Sequence, residues 1–108
     1  MAKTPVVFLV GTVVPDPADE AAFNEWYNKT HIPEVTSIPG VMSANRYEIL
    51  EPEEGYPKFL AIYDMDGEEG LQNFIDHTKK QRSGEVPKFT PGPAFKATWR
   101  KAYRRIGP

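Results

Sequence analysis

Imidazole has an unperturbed pKa of about 6.5 and so exchanges protons at neutral pH without extensive tuning. The two histidines of this chain, His31 and His77, are therefore the first places to look for chemistry. Phe23, Tyr27 and His31 recur at intervals of four, with Trp26 beside them. A helix through this stretch gathers those rings on one side, and Glu20, Asn24, Glu25 and Asn28 take much of the remainder. Pro33 has no amide hydrogen and clashes with the carbonyl of Lys29, so the helix must kink or restart between Thr30 and Ile32. His31 sits at that break, where from the residues alone it reads first as a structural histidine among aromatics and second as a general base or acid toward an enolisable or phenolic substrate. His77, flanked by Asp76 and Lys79, reads as a solvated helix residue.

Other side chains can assist. Arg46 and Tyr47 are neighbours in a strand-like stretch and point to opposite faces, so at most one enters a given pocket. Arg46 can hold a carboxylate or enolate oxygen through two prongs, and it equally suits an ion pair with Glu34 or Glu48. The Tyr63 hydroxyl can donate to an oxyanion or be satisfied within a core. Trp26 and Tyr27 can form an aromatic wall, at least one of them by simple packing. Glu34, three residues beyond His31, can orient the imidazole; as a metal pair the two are too few, and no other residues have ligand spacing, so no metal site is expected. Asn45 and Trp99 bear on a rival oxygenase chemistry, but their spacing reproduces no defensible motif. The catalytic candidates are thus His31, Arg46 and Tyr63, and the binding candidates Trp26, Tyr27, Glu34, Tyr47 and Trp99.

The elements that must position them follow from periodicity. Val6–Val14 is apolar, β-branched or aromatic and reads as a central strand covered on both faces. Asp16 as N-cap and Pro17 at the first helical position start a helix. A second helical piece, Pro33–Ile38, ends at Pro39-Gly40. Val41–Leu50 and Lys58–Met65 are strands joined as a hairpin, and in the first of them parity alone leaves open which face is inside. A helix over Glu68–Arg82 with Leu71, Phe74, Ile75 and Thr78 inward stops at Gly84. After an irregular proline-rich loop, Ala94–Ile106 alternates Phe95, Ala97, Trp99 and Tyr103 against Lys96, Thr98, Arg100 and Arg104. The order is βαββαβ, an α+β ferredoxin-like pattern with a four-stranded antiparallel sheet and two helices on one face.

With 108 residues the chain reads as a single domain, 1–108. Thirteen Lys and Arg against 15 Asp and Glu give a net charge of −2, which disfavours nucleic acid. The cations Lys96, Arg100, Lys101, Arg104 and Arg105 crowd the last stretch and could form a patch for an anionic partner, but they read more simply as a solvated strand face or a charged edge that discourages aggregation. No cysteine is present, so disulfides, thiolate metal sites and a cysteine nucleophile are excluded. No run approaches the roughly 20 apolar residues of a membrane span, and Val6–Val10 is too short for a signal-peptide core, so a cytoplasmic protein without membrane contact is expected. Two helices cover only one face of the sheet, so a homodimer packing sheet on sheet is expected.

The stretches Phe23-Asn-Glu-Trp-Tyr-Asn-Lys-Thr-His-Ile-Pro-Glu34, Ile38-Pro-Gly-Val-Met-Ser-Ala-Asn-Arg-Tyr47 and Phe59-Leu-Ala-Ile-Tyr63 resemble the EthD-like branch of the dimeric α/β-barrel superfamily. The resemblance spans nearly the whole chain and is sharpest in W-Y-x-x-x-H-I-P-E followed by P-G-x-x-x-A-x-R-Y. It implies a βαββαβ fold, a homodimer formed through the sheets and a pocket between sheet and helices, with His31 at a pocket position. Relatives in the superfamily include polyketide cyclases, cofactor-free monooxygenases, muconolactone isomerase, dehydratases and haem-degrading enzymes, so the fold alone leaves the reaction open. The expectation is a small cofactor-independent enzyme of lyase, isomerase or cyclase type. It would move a proton through His31 on an aromatic, polyketide-like or ring-cleavage intermediate. The alternatives are cofactor-free oxygenation of a phenol or hydroquinone, and a non-catalytic accessory protein that binds a hydrophobic metabolite.

Overall fold

The β-branched run near the start of the chain becomes β1 (Val6–Val13), a central strand flanked on both sides. The computed structural model describes residues 3–108. After β1 come a 3-10 turn (Pro17–Asp19), α1 (Glu20–Trp26), a π turn (Tyr27–His31) and α2 (Ile32–Thr36). β2 (Val41–Glu48), β3 (Phe59–Met65), α3 (Gly67–Ser83) and β4 (Lys96–Arg104) complete the chain. The strands form one antiparallel sheet in the order β2-β3-β1-β4, the ferredoxin-like α+β arrangement. Among the described residues no helix is long and apolar enough to cross a membrane.

Local chemistry explains the boundaries. Asp16 accepts the Ala18 amide at 3.0 Å, with Pro17 at the first position, and so starts the helical path as expected of an N-cap followed by proline. The break expected ahead of Pro33 takes the form of a widened turn: the Ile32 N–H reaches five residues back to the Tyr27 carbonyl. This π turn carries the chain past the missing amide of Pro33 without ending the helical path, and such bulges recur at functional sites. The turn at Gly40 (φ +100) rests against Gly70, where a Cβ on either glycine would come within 2.7 Å of the other's carbonyl oxygen. That close approach seats the start of α3 against the loop before β2.

Register fixes the two sheet faces. Tyr63 pairs with Phe8 and Ala44, and Ala61 with Val10 and Arg46, so these side chains share the face that the helices cover. The core there contains Val6, Val10, Phe23, Tyr27, Val35, Phe59, Tyr63 and Met65. The opposite face carries Val7, Leu9, Leu60 and Ile62, half-buried, together with Tyr47, Trp99 and Tyr103. The expectation that β1 is covered on both faces therefore holds within one chain only for the helix side.

Two other sequence expectations are corrected. The simple alternation of Phe95 with Trp99 fails, because a bulge opposite Gly11 and Thr12 shifts the β4 register by one residue. Phe95 packs on Phe23 and Trp26 among the helices, whereas Trp99 stands opposite Gly11 on the open face. Leu50 and Ile106, expected within strands, lie just beyond them and are each 96% exposed.

Candidate functional site

A cavity of about 610 Å³ lies between the helix face of the sheet, the π turn, α3 and the loop after it. That volume falls within the range of about 300–1,000 Å³ usual for small-molecule sites. Its walls are mostly aromatic and aliphatic and include Phe8, Val10, Trp26, Tyr27, Tyr63, Phe74, Phe89 and Phe95.

His31 lines this cavity from the π turn. Its ring stacks on Trp26 at 4.9 Å and meets Tyr27 and Phe89 edge-on at 4.8 and 5.0 Å. The Nδ1 atom is buried and has no hydrogen-bond partner among the described residues. Buried polar atoms are almost always paired, so this enclosed, unpartnered nitrogen sets His31 apart from a core residue whose polar atoms are all satisfied. Burial in this cage lowers the pKa of His31 to about 4; the nearby Glu34 charge works against that shift and Arg46 adds to it. The ring is therefore neutral at physiological pH and able to accept a proton.

Tyr27 and Tyr63 join their hydroxyls across the cavity wall at 2.6 Å, both rings buried. One hydroxyl donates to the other, which leaves one O–H proton free to donate elsewhere. Burial raises the pKa of both phenols, that of Tyr63 strongly, so the pair stays protonated and can act as a hydrogen-bond donor. His31, Tyr63, Trp26 and Tyr27 are thus brought together around one cavity.

The remaining candidates lie elsewhere or do different work. Arg46 reaches between β2 and the helix, its guanidinium 4.3 Å from the centre of the Tyr27 ring, and it does not line this cavity. It donates to Asn28 and Asn24, both at 3.0 Å, in place of the ion pair with Glu34 or Glu48 read from the sequence. Glu34 does not hold the imidazole. Its carboxylate accepts the Thr90 amide at 3.0 Å and the Thr90 hydroxyl at 2.9 Å. Tyr47 and Trp99 stand on the open face of the sheet.

The loop after α3 supplies wall residues that periodicity could not reveal. Trp26 Nε1 donates to the Thr90 carbonyl at 3.1 Å, and Gly92 lies flat on the indole, where a Cβ would fall 2.2 Å from a ring carbon. Trp26 and Glu34 therefore pin Thr90 from two sides and hold Phe89 over His31. The sequence signal was present in Phe89-Thr-Pro-Gly, but an irregular segment has no period from which to infer a facing direction.

A pH dependence follows from the His31 environment. Its folded-state pKa lies below the unfolded value, so the unfolded chain binds more protons below about pH 6.5. The stabilising contribution is complete above that pH and is lost as pH falls toward about 4. We expect wild type to lose about 2 kcal/mol between pH 6.5 and 4 from this group, the linkage of about 1.4 kcal/mol per pKa unit being reduced by screening at the ring's solvated edge. His31→Phe should remove that component, measured by urea unfolding at each pH; identical pH slopes in the two proteins would refute it.

The architecture recurs in solved structures of low sequence identity. A Shewanella loihica protein described as a candidate monooxygenase is 17% identical, with a TM-score of 0.63 over 97% of each chain. An EthD family protein of Bacillus halodurans is 18% identical, with a TM-score of 0.56 over 95% of this chain and 99% of its own. A dimeric ferredoxin-like protein of unknown function from Thermobifida fusca is 17% identical, with a TM-score of 0.51 over 95% of this chain and 91% of its own. The EthD likeness read from the sequence is thus matched in the fold, and at these identities the match speaks for the fold alone. No curated protein matches the sequence. The sequence model of the family described as Domain of unknown function (DUF4286) matches residues 6–92, from β1 through the loop that closes the cavity, and the chain belongs to that family.

Proposed function

We propose that the cavity binds a largely apolar, flat small molecule with an acidic C–H beside a carbonyl, or a phenolic O–H, and that His31 moves that proton. The observation that carries this reading is the sheltered, unpartnered Nδ1 of a neutral imidazole in an aromatic cage on the cavity wall. For an enolisable ketone, a ring nitrogen takes the α-proton and the C–H electron pair passes to the carbonyl oxygen. The free O–H proton of the Tyr27–Tyr63 pair donates a hydrogen bond to the oxyanion so formed. The negative charge then stabilises the imidazolium, raising the pKa of His31 in the intermediate above its value in the empty cavity. Return of the proton to the same or another carbon gives exchange or isomerisation, with no further reagent.

The test uses 2-tetralone, a flat ketone with acidic C–H groups. Exchange of its α-protons for deuterium is followed by proton NMR in D₂O. The protein should accelerate exchange above the buffer rate, and no acceleration at saturating tetralone would refute proton transfer. A second reading, a carrier without turnover, draws on Glu34 being engaged by Thr90, which leaves His31 without a carboxylate to strengthen it as a base. It expects stoichiometric tetralone binding and no exchange.

The open sheet face also calls for a partner, and the reading here is a second copy of the chain. Leu9 and Ile62 are paired at the middle of that face, with Val7, Leu60, Tyr47 and Tyr103 around them. Sheet-on-sheet packing would remove this apolar surface from water. Wild type should run as a dimer by light scattering at micromolar concentration. Ile62→Asp, which would bring two unpaired carboxylates into the interface, should be monomeric. A dimer unaffected by Ile62→Asp would rule out this face.

A further inference from the structure

The cavity is cationic in a chain whose net charge is −2. Its lining contains no Asp or Glu, yet it contains Arg82 and Arg100. Ile75, Thr78 and Arg82 follow one another on the inward side of α3 and all line the cavity. Arg100 pairs with Val10 in the β1–β4 register and so rises from the helix face of the sheet beside Phe8 and Val10. Arg104, on the same strand, is paired with Glu68 at 3.0 Å. Among the described residues neither Arg82 nor Arg100 has an ion-pair partner.

Both guanidinium groups are exposed and without an ion-pair partner among the described residues, so a carboxylate bound there can take charge-assisted hydrogen bonds from them. The apolar walls take the rest of the ligand, so a small, strongly hydrated anion does not fit this combination. We infer that the ligand is an aromatic or similarly flat apolar acid whose carboxylate is held by Arg82 and Arg100 while its body reaches inward toward His31. This rests on the reading of the cavity as a ligand site and specifies the class of substrate for it.

The test compares 2-naphthoate with the neutral 2-naphthalenemethanol by calorimetric titration, the Trp26 indole N–H resonance reporting occupation of the cavity. Naphthoate should bind at least about tenfold more tightly, a difference of about 1.4 kcal/mol. Arg100→Gln and Arg82→Gln should each reduce that preference several-fold without changing affinity for the alcohol, and Lys79→Gln, exposed on the same helix, should leave it intact. Equal affinities in wild type, with the indole resonance shifted by both probes, would overturn the acid preference and leave the cavity reading standing. No shift of the Trp26 resonance with either probe would remove the cavity reading and this inference with it. The wild-type comparison decides even if an arginine variant fails to fold.

Discussion

His31→Ala should slow α-deuterium exchange into 2-tetralone by roughly 10²–10⁴-fold, the usual contribution of a positioned acid–base group. His77→Ala should leave the rate unchanged. The contrast is sharp because the two imidazoles share their chemistry and differ in surroundings. His31 is enclosed by Trp26, Tyr27 and Phe89 on the cavity wall, whereas His77 lies on α3 outside the cavity lining. The wild-type rate should be flat above about pH 5 and fall as the ring protonates near its pKa of about 4. Tyr63→Phe should retain the pH profile and lower the rate by less, since Tyr27 keeps a hydroxyl at the same wall. A His31→Ala protein that is folded, binds tetralone and exchanges it as fast as wild type would end the proposed mechanism.

The second large effect falls on stability. Phe23→Ala should cost about 3–5 kcal/mol, the range for truncating a fully enclosed aromatic. Phe23 is 0% exposed, with Phe95 at 5.2 Å, Tyr27 at 5.5 Å, Phe59 at 5.8 Å and Trp26 at 6.1 Å between ring centres. The Arg46 guanidinium lies 5.3 Å from the same ring. Neighbours drawn from α1, the π turn, β3 and the residue just before β4 cannot all collapse into the space left, so a cavity penalty adds to the lost transfer energy. Phe23→Leu keeps most of the volume and should cost less than half as much. Urea unfolding at pH 7 measures both, and a loss below about 1 kcal/mol for the alanine variant would show that this cluster is not the centre of the core. Because Trp26 and Tyr27 rest on Phe23, the alanine variant should also bind tetralone more weakly.

Local pattern made much of the fold legible. The alternation of Phe59, Ala61, Tyr63 and Met65, the cap at Asp16-Pro17 and the stop at Gly84 each depend on neighbours a few residues away, and each appears in the structure. His31 could be singled out because its type and its position ahead of Pro33 were visible together. Arg46 could not be placed, since its asparagine partners Asn24 and Asn28 are distant in sequence and a guanidinium accepts many partners equally well. Glu34 was read toward its nearest attractive neighbour, His31, while its actual partner, Thr90, is 56 residues away. A single-residue bulge separated Phe95 from Trp99, and strand parity has no memory across such an insertion.

What the amino-acid order determined by itself is the set of elements, their succession and the chemical kinds available, because helix periods, strand alternation and turn residues are short-range physics. Only the tertiary structure decided which residues share a cavity: Tyr27 with Tyr63, His31 with Phe89, and Arg82 of α3 with Arg100 of β4. Those meetings depend on register, a bulge and an irregular loop pinned at Thr90, in which contacts between segments distant along the chain select among conformations that are locally near-equal in energy.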